Sequence, residues 1–337
     1  MLVKEIGEFG LIERISRLLP AAPADVITGI GDDVAVLKTS GSEYLLATCD
    51  TQIEGVHFIR DAITPFQLGR KAVAINISDI AAMGGEPRWA LVSLAVPGDT
   101  DSEYIEELYR GMREQMALAG AAIVGGNMSR IDSGLVIDLT LLGEIAPEHL
   151  VLRSRAESGD AVLVTGFPGE SRAGLELVRR PRLKVGVETR RRVLERHFTP
   201  QPRLSQGRIL ARSGLVHAMI DVSDGLLADL GHICEAGSKG AVIEVEALPV
   251  SSAASKTAAI AGADVLDWIL TGGEDYELLF TAGAQDVPEL KKMMNETGIP
   301  CTRIGYITGE SGSVRVRPVE GKERALPSGR GWDHFAG

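Results

Sequence analysis

The chain has only three cysteines, Cys49, Cys234 and Cys301, far apart and without metal-ligand spacing. That usage excludes the familiar thiolate metal centres and disulfide frameworks and fits a reducing cytosol. No apolar run approaches the roughly 20 residues of a membrane span, and the N-terminus lacks a basic-then-apolar signal pattern. A cytoplasmic protein is therefore expected, with no membrane partner. A P-loop is also missing. In GFPGESRAG no Gly-Lys-Ser/Thr follows and Pro168 intrudes, so this stretch reads as a structural strand-to-helix turn. Positive charge is in short supply: the formal net charge of -11 argues against nucleic acid, whose phosphates would be repelled unless the basic residues clustered. Small anionic substrates stay open, because bound divalent ions can reverse the local sign.

What is present suits a globular protein. At 337 residues there is room for about two domains, and the contents of 45% apolar and 24% charged residues are ordinary. Residues 4–19 place Ile6, Phe9, Ile12, Ile15 and Leu19 at helical spacing, an amphipathic helix that packs on this domain or on a second subunit. Residues 34–39 and 44–48 read as two strands, and a two-residue turn at Gly41-Ser42 would set Asp33 directly opposite Asp50. Like charges so placed destabilise a sheet by roughly a few tenths to about 1 kcal/mol, which points to a cation between them, with Asp32 alongside. Hard cations such as Mg²⁺ take carboxylate oxygens and commonly keep a substrate phosphate as a further ligand. The plain alternative is a solvated polar strand end. Residues 50–58 then look irregular, and His57 near the acids could hold a phosphate or simply be exposed.

Thr64-Pro65-Phe66-Gln67 opens a helix with an N-cap, a first-turn proline and a capping-box glutamine, and the helix stops at Gly84-Gly85. Asp79 lies mid-helix in an apolar, alanine-rich stretch and needs a partner; Lys71 is two turns away, too far for an easy pair. Thr100 and Glu103 suggest another capping box. Residues 121–124 read as a short buried strand delivering Gly125-Gly126-Asn127 at its end, where a nucleotide could approach the backbone. Residues 135–145 form a long strand, and a domain boundary is expected within 147–158. In the second half residues 161–165 and the stretch ending at Asp221-Val222 are strands. Ser223 or Asp224 is expected to cap the helix that follows, offering free N–H groups to a phosphate. The tetrapeptides at 76–79 and 221–224 (Asn-Ile-Ser-Asp and Asp-Val-Ser-Asp) hint at paired domains. The run 179–192 is basic but interspersed, a solvated face. Gly-Gly-Glu-Asp-Tyr-Glu at 272–277 leads into a strand, and residues 303–307 and 313–317 suggest a terminal hairpin.

Taken together, GIGDDVAVL, the DT-x-x-EGVHF run, NISDIAAMG, DVSDGL, GGEDYEL and the closing GWDHF resemble the thiamine-monophosphate kinase family, in that family's order across residues 29–335. The family belongs to the ATP-binding superfamily of aminoimidazole ribonucleotide synthetase and selenophosphate synthetase. The resemblance implies α/β and α+β architecture in two domains. Residues 1–147 would form the N-terminal ATP/Mg-binding and dimerisation domain, giving strands to a barrel shared by a homodimer, and residues 148–337 an α+β C-terminal domain. It implies direct transfer of the ATP γ-phosphoryl to thiamine monophosphate, giving thiamine diphosphate and ADP, with no covalent protein intermediate. By similarity Asp33, Asp50, Asp79, Asp221 and Asp224 match the carboxylates that hold several Mg²⁺ ions, with Thr48, Cys49 and Asn127 at ligand positions. Tyr109, Gly126, Asn127, Arg153 and Ser223 match the ATP side, and His57, Glu274 and Trp332 the substrate side, where Trp332 would stack on the cationic thiazolium and Glu274 add charge complementarity.

Three positions depart from the family's pattern. Asn127 stands where Gly-Gly-Asp-Thr is usual and loses a charge, Cys49 replaces a Ser or Thr, and Arg155 replaces a Gly. A sister ATP-dependent enzyme of the superfamily is one rival, although selenophosphate synthetase chemistry calls for a reactive N-terminal Cys and residues 1–48 contain none. A catalytically impaired ATP-binding homologue, motivated by Asn127, is the other.

Overall fold

The computed structural model describes residues 2–317 and Arg324–Ala325. The segment containing Trp332 lies outside the described residues. Among them, thirteen strands form two sheets, accompanied by ten α-helices. The first half contains α1 (Val3–Ser16), β1 (Val26–Thr28), β2 (Ala35–Lys38), β3 (Tyr44–Ile53), α2 (Pro65–Ala82), β4 (Glu86–Val96), α3 (Ser102–Leu118), β5 (Ala122–Arg130) and β6 (Val136–Ile145). Its six strands run in the order β1-β2-β3-β6-β4-β5.

One face of this sheet buries Val36, Leu46, Val92, Leu94, Ile137, Leu139 and Leu141 in a core shared with Leu68, Ile77, Ile80, Leu108 and Met112 of α2 and α3. The alternation along β6, buried at odd positions and half-buried at even ones, is the period-2 signature of that arrangement. The two helices touch backbone to backbone. A Cβ on Gly69 would lie 2.0 Å from the Leu108 carbonyl oxygen, and one on Gly111 would lie 2.0 Å from that of Phe66. Thr64 caps α2 as expected, accepting the Gln67 N–H at 3.2 Å, with Pro65 in the first turn.

The second half contains β7 (Ala161–Thr165), α4 (Glu170–Arg179), α5 (Val187–Phe198), α6 (Leu204–Ser213), β8 (Val216–Asp221), α7 (Leu226–Gly237), β9 (Gly240–Glu244), α8 (Ser252–Ala261), α9 (Val265–Thr271), β10 (Leu278–Ala282), α10 (Val287–Glu296), β11 (Cys301–Thr308), β12 (Val314–Arg317) and β13 (Arg324–Ala325). Its seven strands run β13-β12-β9-β11-β7-β10-β8. Helix α2 packs on its own sheet and also against α6 and β8, so it belongs to both halves.

Several expectations change. The first hairpin pairs Lys38 with Tyr44 and Val36 with Leu46, one step from the expected register, because residues 39–43 form a longer loop closed by the Thr39 hydroxyl, which donates to the Glu43 carbonyl. Asp33 therefore sits before the strand and not opposite Asp50 within it. Residues 50–53 are strand, not irregular, since β3 pairs with β6 along its full length. The β5 strand is long and exposed instead of short and buried, because among the described residues it is the sheet edge and hydrogen-bonds only to β4. Gly126 lies inside it at φ 154, where a Cβ would stand 1.9 Å from the Val92 carbonyl oxygen. Asp101, not Thr100, caps α3, accepting the Glu103 N–H. The terminal pair is no hairpin: β11 and β12 both bond to β9, which lies between them. Helix α1 buries none of its residues and is broken at Gly7.

Candidate active site

The site forms where the middle of β3 and the end of β8 meet the C-terminal turns of α2. Period-2 alternation turns Thr48 and Asp50 of β3 toward α2, and there the Thr48 hydroxyl donates to Asp79 Oδ2 at 2.6 Å. One residue earlier on α2, the Ser78 hydroxyl donates to Asp221 Oδ2 at 2.6 Å, so the two resembling tetrapeptides touch across the domain junction. Carboxylate oxygens of Asp33, Asp79 and Asp221 all lie within 4.8 Å of one another, and Asp50 hydrogen-bonds to Asp79. Asp33 reaches the group from the loop before β2, held by the Arg153 guanidinium, whose Nε lies 3.5 Å from Asp32.

This crowding has an electrostatic signature. Burial first, then neighbouring carboxylates, push Asp50 up to about 6 and Asp221 up to about 8, and hold Asp79 well above the ordinary carboxylate range. Burial also raises Asp33, against the pull of Arg153. Oδ2 of Asp33 is buried with no hydrogen-bond partner among the described residues. Four inward-facing carboxylates, one guanidinium and an orphaned oxygen suit divalent cations: hard oxygen ligands, excess negative charge and unsatisfied lone pairs.

The remaining expected residues fall into three groups. Asp224 flanks the cluster: it sits with Asp229 and His232, within reach of a second shared point. Neither Ser223 nor Asp224 caps α7; buried Asp229 does so from within the first turn, accepting the N–H groups of Ser223 and Gly225. Glu274 and His57 are close enough to interact, and His57 Nδ1 accepts the Ile53 N–H at 2.9 Å, which fixes the neutral ring as the Nε2–H tautomer. The third group is not brought to the cluster. The Cys49 thiol points to the opposite sheet face, where it donates to Asp138 and accepts from Thr140. Tyr109 packs on the first core from α3. Gly126 and Asn127 lie on exposed β5, and the row Asn127, Ser93, Asp138, Thr51 crosses three strand spacings, about 14 Å, to reach β3.

The acidic loop before β10 divides its labour. Asp275 accepts the N–H groups of Gly169 and Ser171 at the start of α4, and Glu277 accepts from Arg203 and Thr165, so both are structural. Glu274 instead pairs with Lys71 Nζ at 2.6 Å. Sequence reasoning missed this pair, as well as Asp229 and His197. A lysine within an apolar helix was the available signal, but its partner lies some 200 positions along the chain. The basic run also conceals function in the fold: Arg192, with Arg196 just beyond it, pairs with buried Glu170.

Two family models cover most of the chain: AIR synthase related protein, N-terminal domain, over residues 31–145, and the corresponding C-terminal domain over residues 157–317. The thiamine-monophosphate kinase of Escherichia coli (strain K12) is 36% identical over 331 residues, covering 98% of both chains. That of Aquifex aeolicus (strain VF5) is 36% identical over 336 residues, covering 99% of this chain and 100% of the relative. The chain belongs to the thiamine-monophosphate kinase family. The solved structure of AaThiL complexed with AMPPCP and TMP superposes with a TM-score of 0.86 at 35% identity, covering 99% of each chain. Family membership thus spans both sheets and the acidic junction between them.

Proposed function

We propose that this chain transfers the γ-phosphoryl group of ATP to thiamine monophosphate, giving thiamine diphosphate and ADP, with Mg²⁺ held by the acidic junction. The observation that carries this reading is the convergence of Asp33, Asp50, Asp79 and Asp221 from both halves on one buried point. It is supported by relatives of that activity matched from end to end and by a similar structure in complex with AMPPCP, an ATP analogue, and TMP.

Phosphoryl transfer asks mainly for alignment and charge neutralisation. Asp33, Asp50, Asp79 and Asp221, with Thr48 and the flanking Asp224, would hold magnesium; when bound, it neutralises phosphate oxygens that the carboxylates alone would repel. Arg153 keeps Asp33 and Asp32 oriented and presents positive charge to the nucleotide, and Ser223, on the loop after β8, is assigned to the same side. His57, as the Nε2–H tautomer, offers a proton donor to the acceptor phosphate. Glu274 and Trp332 complete our reading of the acceptor side, and Tyr109, Gly126 and Asn127 of the nucleotide side. No side chain forms a covalent intermediate.

The working form in this reading is a cytoplasmic homodimer. Its support is the unpaired β5 edge, with Val124 and Met128 exposed beside Trp89 and Leu91 of β4, a face that isolated chains rarely leave bare. No helix among the described residues is long and apolar enough to cross a membrane. The domain junction we adopt lies at residues 147–148.

Purified protein with ATP, Mg²⁺ and thiamine monophosphate should form thiamine diphosphate, measured by chromatography, and Asp50→Ala should lower the rate by about 100-fold or more. Absence of product at ample Mg²⁺ rejects the reading. Asn127 keeps an oxygen donor without the charge usual there. Asn127→Asp is the discriminating change: a sharp gain in rate, or a wild type that binds ATP without turnover, would favour the impaired homologue, whereas equal rates would show that the Asn is tolerated.

A further inference from the structure

Lys71 is among the most completely buried side chains in the molecule, 1% exposed, and it lies mid-helix among Ala72, Val73, Ala74 and Ile75. A lysine does not remain charged in such a place without a partner. Its partner is Glu274 Oε1 at 2.6 Å, across the domain junction. The other carboxylate oxygen lies 3.4 Å from Nδ1 of buried His197, and that nitrogen is 3.2 Å from the Ser171 hydroxyl. Burial above all, with Lys71 and nearby arginines, pushes His197 down to about 3, so it is a neutral hydrogen-bonding partner.

The backbone under Glu274 is also constrained. Glu274 and Tyr276 both have positive φ, 64 and 51, conformations that are strained for a non-glycine residue. They are held there by Glu274 N–H donating to the Ser223 carbonyl at 2.7 Å and Tyr276 N–H donating to the Val222 carbonyl at 2.8 Å. Strain maintained at one residue, a buried counter-ion from the other domain and a neutral histidine are more than a surface carboxylate needs. Yet Glu274 keeps 27% of its side chain exposed, and His57 lies within its electrostatic reach.

We propose that Lys71 is a positioning residue for the acceptor substrate: it fixes the Glu274 carboxylate, with His197 on the second oxygen, so that the exposed lone pairs face the cleft beside His57. This rests on the kinase reading above. Because Lys71 cancels the charge of Glu274, the carboxylate recognises the substrate by accepting a hydrogen bond in a set direction more than by net attraction to a cation. It also ties the acceptor subsite to the helix that carries Asp79, eight residues further on, so substrate and ion sites are set by one rigid element.

The test is a double-mutant cycle read on each substrate separately. Lys71→Met should raise KM for thiamine monophosphate at least tenfold while KM for ATP changes less than twofold. In a Glu274→Gln background the same substitution should add less than twofold. The double variant leaves no unpaired buried charge, so its melting temperature should recover toward the wild-type value and folding losses are separated from positioning. An unchanged acceptor KM in folded Lys71→Met overturns the proposal, as does an equal effect with and without the Glu274 carboxylate. A wild type that makes no thiamine diphosphate instead fails the kinase reading, and is distinguished by that control.

Discussion

At the scale of single residues, function and stability oppose one another in the acidic cluster. Asp33, Asp50, Asp79 and Asp221 face one another out of water, compensated in part by Arg153, the Ser78 and Thr48 hydroxyls and the Asp50–Asp79 hydrogen bond. Replacing Asp79 by Asn removes a buried acid that, without metal, must either hold a proton or bear the repulsion of Asp50, Asp221 and Asp33. Asp79→Asn should therefore raise the melting temperature in EDTA by a few degrees, about 1 kcal/mol, while lowering kinase activity by about 100-fold or more. Scanning fluorimetry beside the rate assay checks both. A fall in metal-free melting temperature would mean that Asp79 is a structural anchor. These carboxylates were legible in the sequence because short acidic motifs stood beside strand and helix ends. Lys71 was visible too, but its partner was not: an ion pair between residues 71 and 274 depends on how two domains dock, and no local spacing encodes that.

At the scale of elements, the site depends on where α2 sits, and α2 is seated by the close approach of α3. Gly69 and Gly111 make that approach possible, each lacking the Cβ that would enter the other helix's backbone. Gly111→Ala should force the helices apart and lower stability by about 2–3 kcal/mol, seen as a reduced urea midpoint with unchanged slope. Because α2 carries Lys71, Ser78 and Asp79, the rate should fall with it. A variant with wild-type stability would show that the helices can slide without cost. Helix starts and long strands were readable from capping residues and apolar period, Thr64 and β6 above all. The first hairpin's register and the exposure of β5 were not. A loop one step longer shifts every pairing, and an apolar strand looks the same whether its neighbour is present or missing.

At the scale of the whole molecule, buried acids and buried histidines give stability two opposed pH dependences. Burial and like-charge crowding raise Asp50 to about 6 and Asp221 to about 8, so the folded state binds protons that the unfolded chain has already released. Their effect weakens the fold as pH rises from about 4 toward 8. Burial lowers His197 to about 3 and His232 to about 4, so the unfolded chain gains protons first and the fold weakens as pH falls below about 6.5. Metal-free protein should therefore lose stability as pH rises from about 6 to 8, where the histidines no longer compensate, and Mg²⁺ should raise the melting temperature more at pH 8 than at pH 5.5. Calorimetry with EDTA or Mg²⁺ at several pH values checks this; a profile that Mg²⁺ leaves unchanged at pH 8 would separate the acidic cluster from ion binding.

By itself the sequence determined the two-part α/β architecture, the capped helix α2, the acidic motifs and, through their order, the family. Those features are local: a cap, an apolar period or a short motif acts over a few residues, and neighbours in sequence suffice to specify it. Only the tertiary structure decided which acids share one buried point, that Cys49 turns away from it, that Asp229 and not Ser223 or Asp224 caps α7, and that Lys71 reaches Glu274. Each of those depends on the docking of surfaces far apart in the chain, where burial sets the energy of a charge and the fold alone sets the burial.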